Sequence, residues 1–365
     1  MSSDAKERWA EARMPCLKNV GEAFCAPNLA RGAPYLAALP ALICGALLFL
    51  VASGLVLAVY YDPAHGFASI QFIERNVNEG WLIRLFHDTG TTMLFGAVFL
   101  LLFRSLFTRG YKVPGDLVWL MQVKLFALLL AVAYFGYVLS NGAVSAWSLH
   151  GVTNATTLMR GLPGSLGRWI FGGPDGAGTL SRLVVFHAVL AVALLGVVFA
   201  LRSATRAVTP KVAGGVGFHP YYTAQYFVAF AVFALIFAVL AFFLPHLGMN
   251  PLNAAAPDPL IVPGLLTAPW YLQPIDAIAG VFPGVYGGIF GVVAAIAVLA
   301  AQPWLDRSEA GARPGGLYRL LVIVLALDVA GLALSCSPML TGLFTFWYFL
   351  HFLVLTPLVT AMEAK

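Results

Sequence analysis

The sequence predicts an all-α integral membrane protein of about eight transmembrane helices. Of its 365 residues, 60% are hydrophobic and only 10% are charged, whereas soluble domains have roughly a quarter of their residues charged. Separate segments along the chain reach the length of about 20 apolar residues that a helix needs to cross a bilayer. Most side chains are therefore expected to lie in lipid or in a protein interior.

The predicted spans are unevenly spaced along the chain. They are Tyr35–Tyr61, Trp81–Leu106, Pro114–Leu139, Leu180–Leu201, Tyr222–Phe243, Tyr286–Ala301, Leu317–Ala333 and Leu340–Ala361. Two long stretches that do not span, 140–179 and 244–285, are rich in glycine, proline and aromatic residues. Long ordered loops of this kind commonly cover a functional site.

The distribution of lysine and arginine predicts that both termini are cytoplasmic, because positive residues accumulate on that side of a membrane protein. The cytoplasmic side then carries Lys6, Arg8, Arg13, Lys18, Arg31, Arg104, Arg109, Lys112, Arg202, Arg206, Lys211, Arg307, Arg313, Arg319 and Lys365. The opposite face carries Arg75, Arg84, Arg160, Arg168 and Arg182. The amphipathic segment 1–34 lacks the apolar core of a secretory signal. We expect a multi-pass protein of the bacterial inner membrane.

Two other kinds of site are not supported by the sequence. The four cysteines do not have the spacing of zinc or iron–sulfur ligands; they are Cys16, Cys25, Cys44 and Cys336. The net charge of +5 is scattered between apolar runs instead of forming a basic stripe. Positive flanks of membrane helices account for it, so no nucleic-acid partner is expected.

Three of the seven histidines, His87, His187 and His351, fall within predicted spans. An ionisable group in a membrane is costly and commonly functional, although a lone histidine can serve only to hydrogen-bond a neighbouring helix. His87 and His187 lie near the starts of the second and fourth spans, which both run inward from the outer face. Two imidazoles at matched depth on separate helices are what six-coordinate heme iron requires. We therefore predict that His87 and His187 ligate one iron.

Three further residues favour a heme near the outer face. Arg84 lies one helical turn before His87, where a cation would pair with a heme propionate. Gly54 and Gly136, in the first and third spans, lack a side chain and would let a flat macrocycle approach the backbone. Glycine is also common where membrane helices pack, so these two positions do not identify a heme site by themselves.

A series of motifs runs along the chain in a fixed order. They are Trp9–Pro15, Asn78–Gly90 around His87, Gly136-Tyr-Val-Leu, Trp147, Thr153-Asn154, Phe218–Tyr222, and Pro269-Trp-Tyr271 followed by Gly287-Gly288. In this order and spacing they resemble the motifs of cytochrome b of the respiratory and photosynthetic cytochrome bc complexes. The match runs nearly end to end, so the resemblance implies a cytochrome b-like fold with a heme-binding bundle in the first four spans.

The resemblance also implies a division of the chain and a set of partners. Residues 1–34 would form a cytoplasmic amphipathic segment, 35–220 the heme bundle with its surface helices, and 221–365 a C-terminal region of four spans and an outer loop. Cytochromes b of this family are dimers that assemble with an iron–sulfur protein and a c-type cytochrome. We therefore expect a dimer, either of identical copies or with a two-heme cytochrome b.

The sequence departs from the family at the second heme site. Family members carry two histidines fourteen residues apart on each ligand helix, a separation that rises about 21 Å and returns to nearly the same helix face. The histidines and glycines of the inner site correspond here to Leu101, Leu201, Pro40 and Gln122. These changes predict that the inner, cytoplasmic-side heme is absent and that one heme b remains.

The groups that handle quinone protons in the family are also replaced. The family's loop glutamate, which accepts a quinol proton, corresponds to Pro269, and proline has no acid–base chemistry. Near the inner face, a histidine and an aspartate of the family correspond to Arg206 and Tyr226. We therefore do not expect a complete Q cycle. Pro269, Trp270 and Tyr271 would line any outer quinone pocket.

Two functions remain open at this point. The first is an electron-transfer subunit of a quinol/cytochrome c oxidoreductase-type complex, which carries one heme near the periplasmic face and does not catalyse normal quinol oxidation alone. The second is a non-catalytic, cytochrome b-like scaffold that assembles with redox partners. A transporter of unrelated chemistry is disfavoured by the order and spacing of the motifs.

Overall fold

The structure is a computed structural model that describes residues 35–172, 178–209, 214–264, 266–335 and 337–363. The segment 1–34, with Cys16 and Cys25, and Cys336 lie outside these residues. The α-helices are α1 Leu39–Tyr60, α2 Gly66–Asn76, α3 Gly80–Phe107, α4 Asp116–Leu139, α5 Ala143–Leu158, α6 Gly161–Phe171, α7 Thr179–Val208, α8 Thr223–Phe243, α9 Gln273–Val281, α10 Gly284–Ala300, α11 Gln302–Leu305, α12 Gly316–Leu334, α13 Pro338–Leu350 and α14 Thr356–Glu363. A π-helical turn, His351–Leu355, joins the last two.

Seven helical segments within the described ranges are long and apolar enough to cross a membrane. They are Leu36–Tyr60, Gly80–Phe107, Asp116–Leu139, Thr179–Val208, Phe218–Phe243, Gly316–Leu334 and Pro338–Glu363. The remaining predicted span is α10, whose 17 residues rise about 26 Å, a little less than the hydrocarbon core of about 30 Å. The predicted all-α membrane fold is confirmed, with seven full-length spans and one short apolar helix.

The helices α1, α3, α4 and α7 form a four-helix bundle. The most extensive contacts join α4 to α7 and α1 to α3, and contacts of α1 with α7 and of α3 with α4 close the ring. Because successive spans alternate in direction, α3 and α7 start at the same end of the bundle. We call this the histidine end, after His87 and His187, and the opposite end the leucine end, after Leu101 and Leu201.

The two long loops predicted to cover a site are ordered helices and turns. The first contains α5 and α6, which pack on α4 and α7 respectively, and the second contains a short 3-10 turn and α9. The Ser145 backbone N–H donates to the Asn253 side chain at 2.8 Å, and the Asn253 amide donates to Ser140 Oγ at 3.0 Å. These bonds fasten the two loops together beside the histidine end, where α4 finishes.

The C-terminal half packs around α9, which contacts α10, α12 and α13. It is joined to the bundle by contacts of α8 and α12 with α3 and of α10 with α4. A buried polar network adds a second connection at the leucine end. Arg109 contacts Asp306 at 3.3 Å and Glu363 at 2.8 Å, and the Tyr111 hydroxyl donates to Asp306 at 2.6 Å. Because each buried charge has a partner of opposite sign, the network ties two loops and the end of α14 together without leaving an uncompensated ion.

Candidate functional site

His87 lies in the second turn of α3 and faces α1. Its Nδ1 atom is 3.0 Å from Ser53 Oγ. The single Ser53 hydroxyl proton is directed at the carbonyl oxygens of Phe49 and Leu50, at 3.0 and 3.2 Å. The Ser53 oxygen therefore accepts a hydrogen bond from His87 Nδ1–H. Because a neutral imidazole carries one proton, this assignment leaves His87 Nε2 with a free lone pair, as metal ligation requires.

His187 lies at the corresponding depth in α7 and faces α4. Its Nδ1 atom donates to the Val132 backbone carbonyl at 2.9 Å. A carbonyl oxygen can only accept a hydrogen bond, so the proton of the neutral ring must be on Nδ1. His187 Nε2 is therefore also left with a free lone pair. A second hydrogen bond that fixes the tautomer and the orientation of the ring is typical of metal-ligating histidines.

The two imidazoles face each other across the bundle. Their ring centroids are 6.3 Å apart and their planes make an angle of 62°. With metal–nitrogen bonds of about 2 Å, the length found in imidazole–zinc sites, two rings on opposite sides of one metal ion have centroids about 6 Å apart. The separation and the two free Nε2 atoms together fit an iron held between His87 and His187.

Gly54 and Gly136 are required by the imidazoles themselves. A Cβ atom on Gly54 would lie 3.1 Å from His87 Cε1, and one on Gly136 would lie 2.7 Å from His187 Cε1. Both distances are shorter than ordinary carbon–carbon contacts, which are about 3.5–4.0 Å. The sequence predicts that these glycines make room for a macrocycle. In the structure, each glycine makes room for the ring of the histidine that faces it.

Arg84 is one turn before His87, as the sequence predicts, and it already has acidic partners. Its guanidinium contacts the Glu74 carboxylate on α2 and lies 3.8 Å from Asp88. The Arg84 side chain is 26% exposed, so it sits at the edge of the bundle interior. The predicted pairing of Arg84 with a propionate would therefore be shared with Glu74, a partner that the sequence did not indicate.

The side chains of the loop Pro269–Tyr271 have different surroundings: Trp270 lines a cavity and Tyr271 lies in the core. Trp270 lines a cavity of about 230 Å³ together with Asn250, Thr267 and Gln273. Tyr271 instead points into the core, where it stacks on Phe95 with centroids 4.5 Å apart. Burial raises the pKa of the Tyr271 hydroxyl above its usual value, which keeps it protonated. Of the three residues predicted to line an outer pocket, Trp270 is the one that lines this cavity.

The leucine end is filled by apolar side chains. Leu101 and Leu201 are 2% and 1% exposed and belong to one continuous core with Ile43 and Val98. Gln122 of α4 is also buried, and its Oε1 atom has no hydrogen-bond partner among the described residues. Leucine side chains have no atom that can ligate iron, so the donor chemistry of this end does not fit a heme.

His351, the third histidine within a span, lies in the C-terminal half and not in the bundle. Its side chain is fully buried, and within the described residues neither ring nitrogen has a hydrogen-bond partner. It belongs to the π-helical turn between α13 and α14. The structure thus brings His87 and His187 together and leaves His351 apart from them.

Three further residues of the site differ in how readily the sequence indicates them. Ser53 is a hydroxyl residue in an otherwise apolar helix and directly precedes Gly54, which is a usable signal. Val132 acts through its backbone carbonyl, which every residue type has, so the sequence carries no signal for it. Glu74 lies on α2, a short helix between the first two spans, and becomes a neighbour of Arg84 only through the packing of α2 on α3.

Comparisons with known proteins agree with this geometry. The family described as cytochrome b/b6/petB matches residues 35–207, and the family described as cytochrome b(C-terminal)/b6/petD matches residues 256–356. A cytochrome b of Rickettsia prowazekii is 32% identical over 343 residues, which is 87% of this chain and 85% of that protein. A cytochrome b of Rhodospirillum rubrum is 31% identical over 377 residues, 98% of this chain and 93% of that protein.

A solved structure supports the fold independently. A chain of a hyperthermophilic respiratory complex III superimposes with a TM-score of 0.83 at 22% identity, covering 98% of this chain and 99% of that chain. The extent of the family match and the level of identity to full-length relatives agree with the paired imidazoles of the bundle. This chain belongs to the cytochrome b family, whose members bind heme b and transfer electrons.

Proposed function

We propose that this chain is an electron-transfer subunit of a cytochrome bc-type membrane complex and holds a single b heme, between His87 and His187. The observation that carries the proposal is the contrast within one bundle. The histidine end has two imidazoles with free Nε2 atoms, whereas Leu101 and Leu201 fill the matching positions at the leucine end. Without a second heme the subunit would exchange electrons at one face and would not support a complete Q cycle.

The chain's own residues would hold the group in a defined way. His87 and His187 would each offer the free Nε2 atom as a ligand to the iron. Ser53 Oγ and the Val132 carbonyl would keep the proton on each Nδ1 and fix the ring orientation. Arg84 would offer one guanidinium to a propionate while retaining Glu74. When bound, the heme supplies a one-electron redox couple whose potential depends on these ligands and their hydrogen bonds.

The placement in the membrane follows from charge. Lysine and arginine are concentrated in the segments that join the leucine ends of the spans, which supports cytoplasmic termini and a periplasmic histidine end. We propose the bacterial inner membrane as the location. By family, the subunit would assemble as a dimer, with itself or with a two-heme cytochrome b, and with an iron–sulfur protein and a c-type cytochrome.

A second candidate function is a scaffold that assembles with redox partners and catalyses nothing. Two observations favour it. Pro269 stands where the family has a proton-accepting glutamate, and the Arg84 charge is already met by Glu74 and Asp88. Against it, a chain that had lost its heme would have no need of two facing imidazoles, nor of the glycines that make room for their rings.

The heme content of the purified complex distinguishes the two. A dithionite-reduced spectrum and a pyridine hemochrome assay should give one b heme per chain. Two hemes per chain would overturn the assignment of Leu101 and Leu201. The absence of heme would leave the scaffold function.

Substitution of the ligands tests the assignment of the site. His87→Ala and His187→Ala should each abolish the b-type spectrum, because a single imidazole leaves the iron without its second axial ligand. His351→Ala is the matched control, since it also removes a buried intramembrane imidazole, and it should leave the spectrum unchanged. Loss of the spectrum in His351→Ala alone would show that the wrong ligands were chosen.

A further inference from the structure

Asp328 and His351 are ionisable side chains of the C-terminal half that the heme site does not use. Asp328 lies on the buried face of α12 and is 4% exposed, and His351, which begins the π-helical turn after α13, is completely buried. Within the described ranges, neither carboxylate oxygen of Asp328 and neither ring nitrogen of His351 has a hydrogen-bond partner. Buried polar groups in proteins are almost always paired, so two such residues need an explanation.

Both side chains face the interface between α12 and α13, which are in contact. A Cβ atom on Gly331 of α12 would lie 2.6 Å from Phe344 Cζ of α13, so these two residues face each other. His351 follows Phe344 by seven residues, which is close to two full turns, and therefore lies on the same face of its helix. Asp328 precedes Gly331 by three residues and is its neighbour on the surface of α12.

A second contact fixes the relative depth of the two side chains. At the other end of α12 the Tyr318 backbone N–H donates to the Glu363 carboxylate at 3.1 Å, so the two segments run antiparallel. Asp328 lies 3 of 13 residues along α12 from the first contact to the second, and His351 lies 7 of 19 residues along the facing segment. Because 13 residues of helix rise about 20 Å, these positions differ in depth by about 3 Å. Side chains tilt toward the N-terminus of their own helix, so Asp328 and His351 tilt toward each other.

Other unpaired polar atoms lie beside them. Trp347 is one turn before His351 on the same face, and its buried Nε1–H has no acceptor within the described residues. Thr356 closes the π-helical turn by donating its backbone N–H to the His351 carbonyl, and its buried hydroxyl is unpaired in the same part of the chain. Turns of this kind occur frequently at functional sites. The unpaired set thus contains both acceptors and donors.

This mixture of donors and acceptors indicates which ligand would complete the set. A metal cation would bind the acceptors and leave the Trp347 Nε1–H unpaired. In addition, no three histidine, cysteine or acidic side chains of the described ranges are placed to hold a metal ion. Water both donates and accepts, and a buried water molecule makes about three hydrogen bonds to polar groups that would otherwise be unpaired.

The titratable groups on the other helices packed here lie outside this interface. Arg84 and Asp88 are at the histidine end of α3, Arg104 is in its last turn, and Asp276 is exposed on α9. The others have partners elsewhere: Arg319 over the Phe107 ring, Glu363 on Arg109, Tyr318 on Tyr111, Tyr348 on the Ala295 carbonyl and Tyr286 on the Arg160 backbone N–H. No cation among these residues neutralises Asp328. An ionised carboxylate would therefore be an uncompensated buried charge, whereas a protonated one is neutral.

We propose that Asp328 and His351 bind ordered water between α12 and α13, and that Asp328 holds a proton there. The protonated carboxyl donates to the water, and the water donates to the free nitrogen of a neutral His351. The site joins the two helices through hydrogen bonds in addition to their apolar contacts. It is separate from the heme site and goes beyond the proposed function.

Infrared spectroscopy of the intact membrane complex tests the protonated carboxyl. At neutral pH the wild-type spectrum should contain the carbonyl stretch of a hydrogen-bonded carboxylic acid, and Asp328→Asn should remove this band. His351→Phe should shift the band, because it removes the group that the water bridges to. Asp258→Asn, the matched control, removes an exposed carboxylate of the outer loop and should leave the band unchanged. A band that persists in Asp328→Asn overturns the proposal.

Thermal unfolding tests whether the two side chains share one site. Asp328→Leu and His351→Phe should each lower the Tm, because each leaves the other polar group without its bridge. The double variant removes both polar groups and should lower the Tm by less than the sum of the two single shifts. Asp328→Leu combined with Asp258→Asn should give additive shifts. Additive shifts for Asp328→Leu with His351→Phe overturn the shared site.

A density map of the wild-type complex that shows ordered water tests the ligand without any substitution. Water density within hydrogen-bond distance of both the Asp328 carboxyl and a His351 ring nitrogen supports the proposal. A direct contact between the two side chains, or apolar packing between them, overturns it. Heme content is measured on the same samples and should be unchanged in every variant. A wild-type complex without heme would refute the proposed function and leave the water site standing.

Discussion

The two ends of the bundle are built from the same four helices and differ in what those helices enclose. At the leucine end, Leu101 and Leu201 are almost completely buried and apolar side chains meet directly. At the histidine end, His87, Gly136 and His187 lie between helices yet remain partly accessible, and two rings face each other across 6.3 Å. Protein interiors tolerate few voids. The bundle is therefore densely packed around Leu101 and Leu201 and leaves the two imidazoles partly accessible.

The largest effect on this comparison should come from closing the histidine end. Gly136→Ala places a Cβ 2.7 Å from His187 Cε1, so the imidazole has to move from the position in which it bonds the Val132 carbonyl. We expect most of the heme to be lost, as measured by pyridine hemochrome per chain. Gly54→Ala, at 3.1 Å from His87 Cε1, should lose less.

The chain provides matched controls for these two variants. Gly45 on α1 and Gly96 on α3 have nothing within 4 Å of an added Cβ. Alanine there should preserve the heme and slightly favour the helix, because glycine is the poorer helix former. Equal heme loss in all four variants would show that the glycines act through helix packing in general and not through the imidazoles.

An intermediate effect should come from opening the leucine end. Leu101→Ala removes a side chain that is 2% exposed within the core, and such truncations usually cost about 2–5 kcal/mol of stability. Thermal unfolding in detergent should shift to lower temperature, while heme content and spectrum stay unchanged. A spectral change would mean that a heme contacts this end, contrary to the proposed single site.

The smallest effect should come from the hydrogen bond behind one ligand. Ser53→Ala removes the acceptor of His87 Nδ1–H and keeps the ligand itself. Loss of such an outer-shell partner typically weakens metal binding about 10- to 100-fold. Heme should remain at saturating concentration but exchange faster to apomyoglobin, with a changed redox midpoint. The same exchange rate as wild type would remove Ser53 from the site.

The spans could be predicted from the sequence because hydrocarbon accepts only helices whose backbone bonds are satisfied internally, so apolar length alone marks them. The depth of His87 and His187 followed from counting residues along two such helices. Glu74 beside Arg84 could not be found in the same way. This contact depends on how the short, non-spanning helix α2 is placed, which is set by packing and leaves no periodic pattern in the sequence.

The groups that contact the imidazoles were also only partly predictable from the sequence. Gly54 and Gly136 were expected from the sequence, but for a macrocycle and not for the histidine rings that they face. The Val132 carbonyl, which orients His187, belongs to the backbone and could be any residue type. The sequence thus indicates which residues would ligate a cofactor more readily than it indicates which groups orient those ligands.

The apolar filling around Leu101 and Leu201 has an electrical consequence. About 21 Å of helix separates these leucines from the level of the ligand histidines, and the leucine side chains offer no ligand for an iron at that level. Under the proposed function, every charge that arrives at the subunit departs on the same side. Turnover would then move no net charge across the membrane. Moving one elementary charge against the membrane potential costs about 2.3 kcal/mol for each 100 mV, and the subunit would neither require nor store this energy. Its rate would be the same in an energised vesicle and in a leaky one.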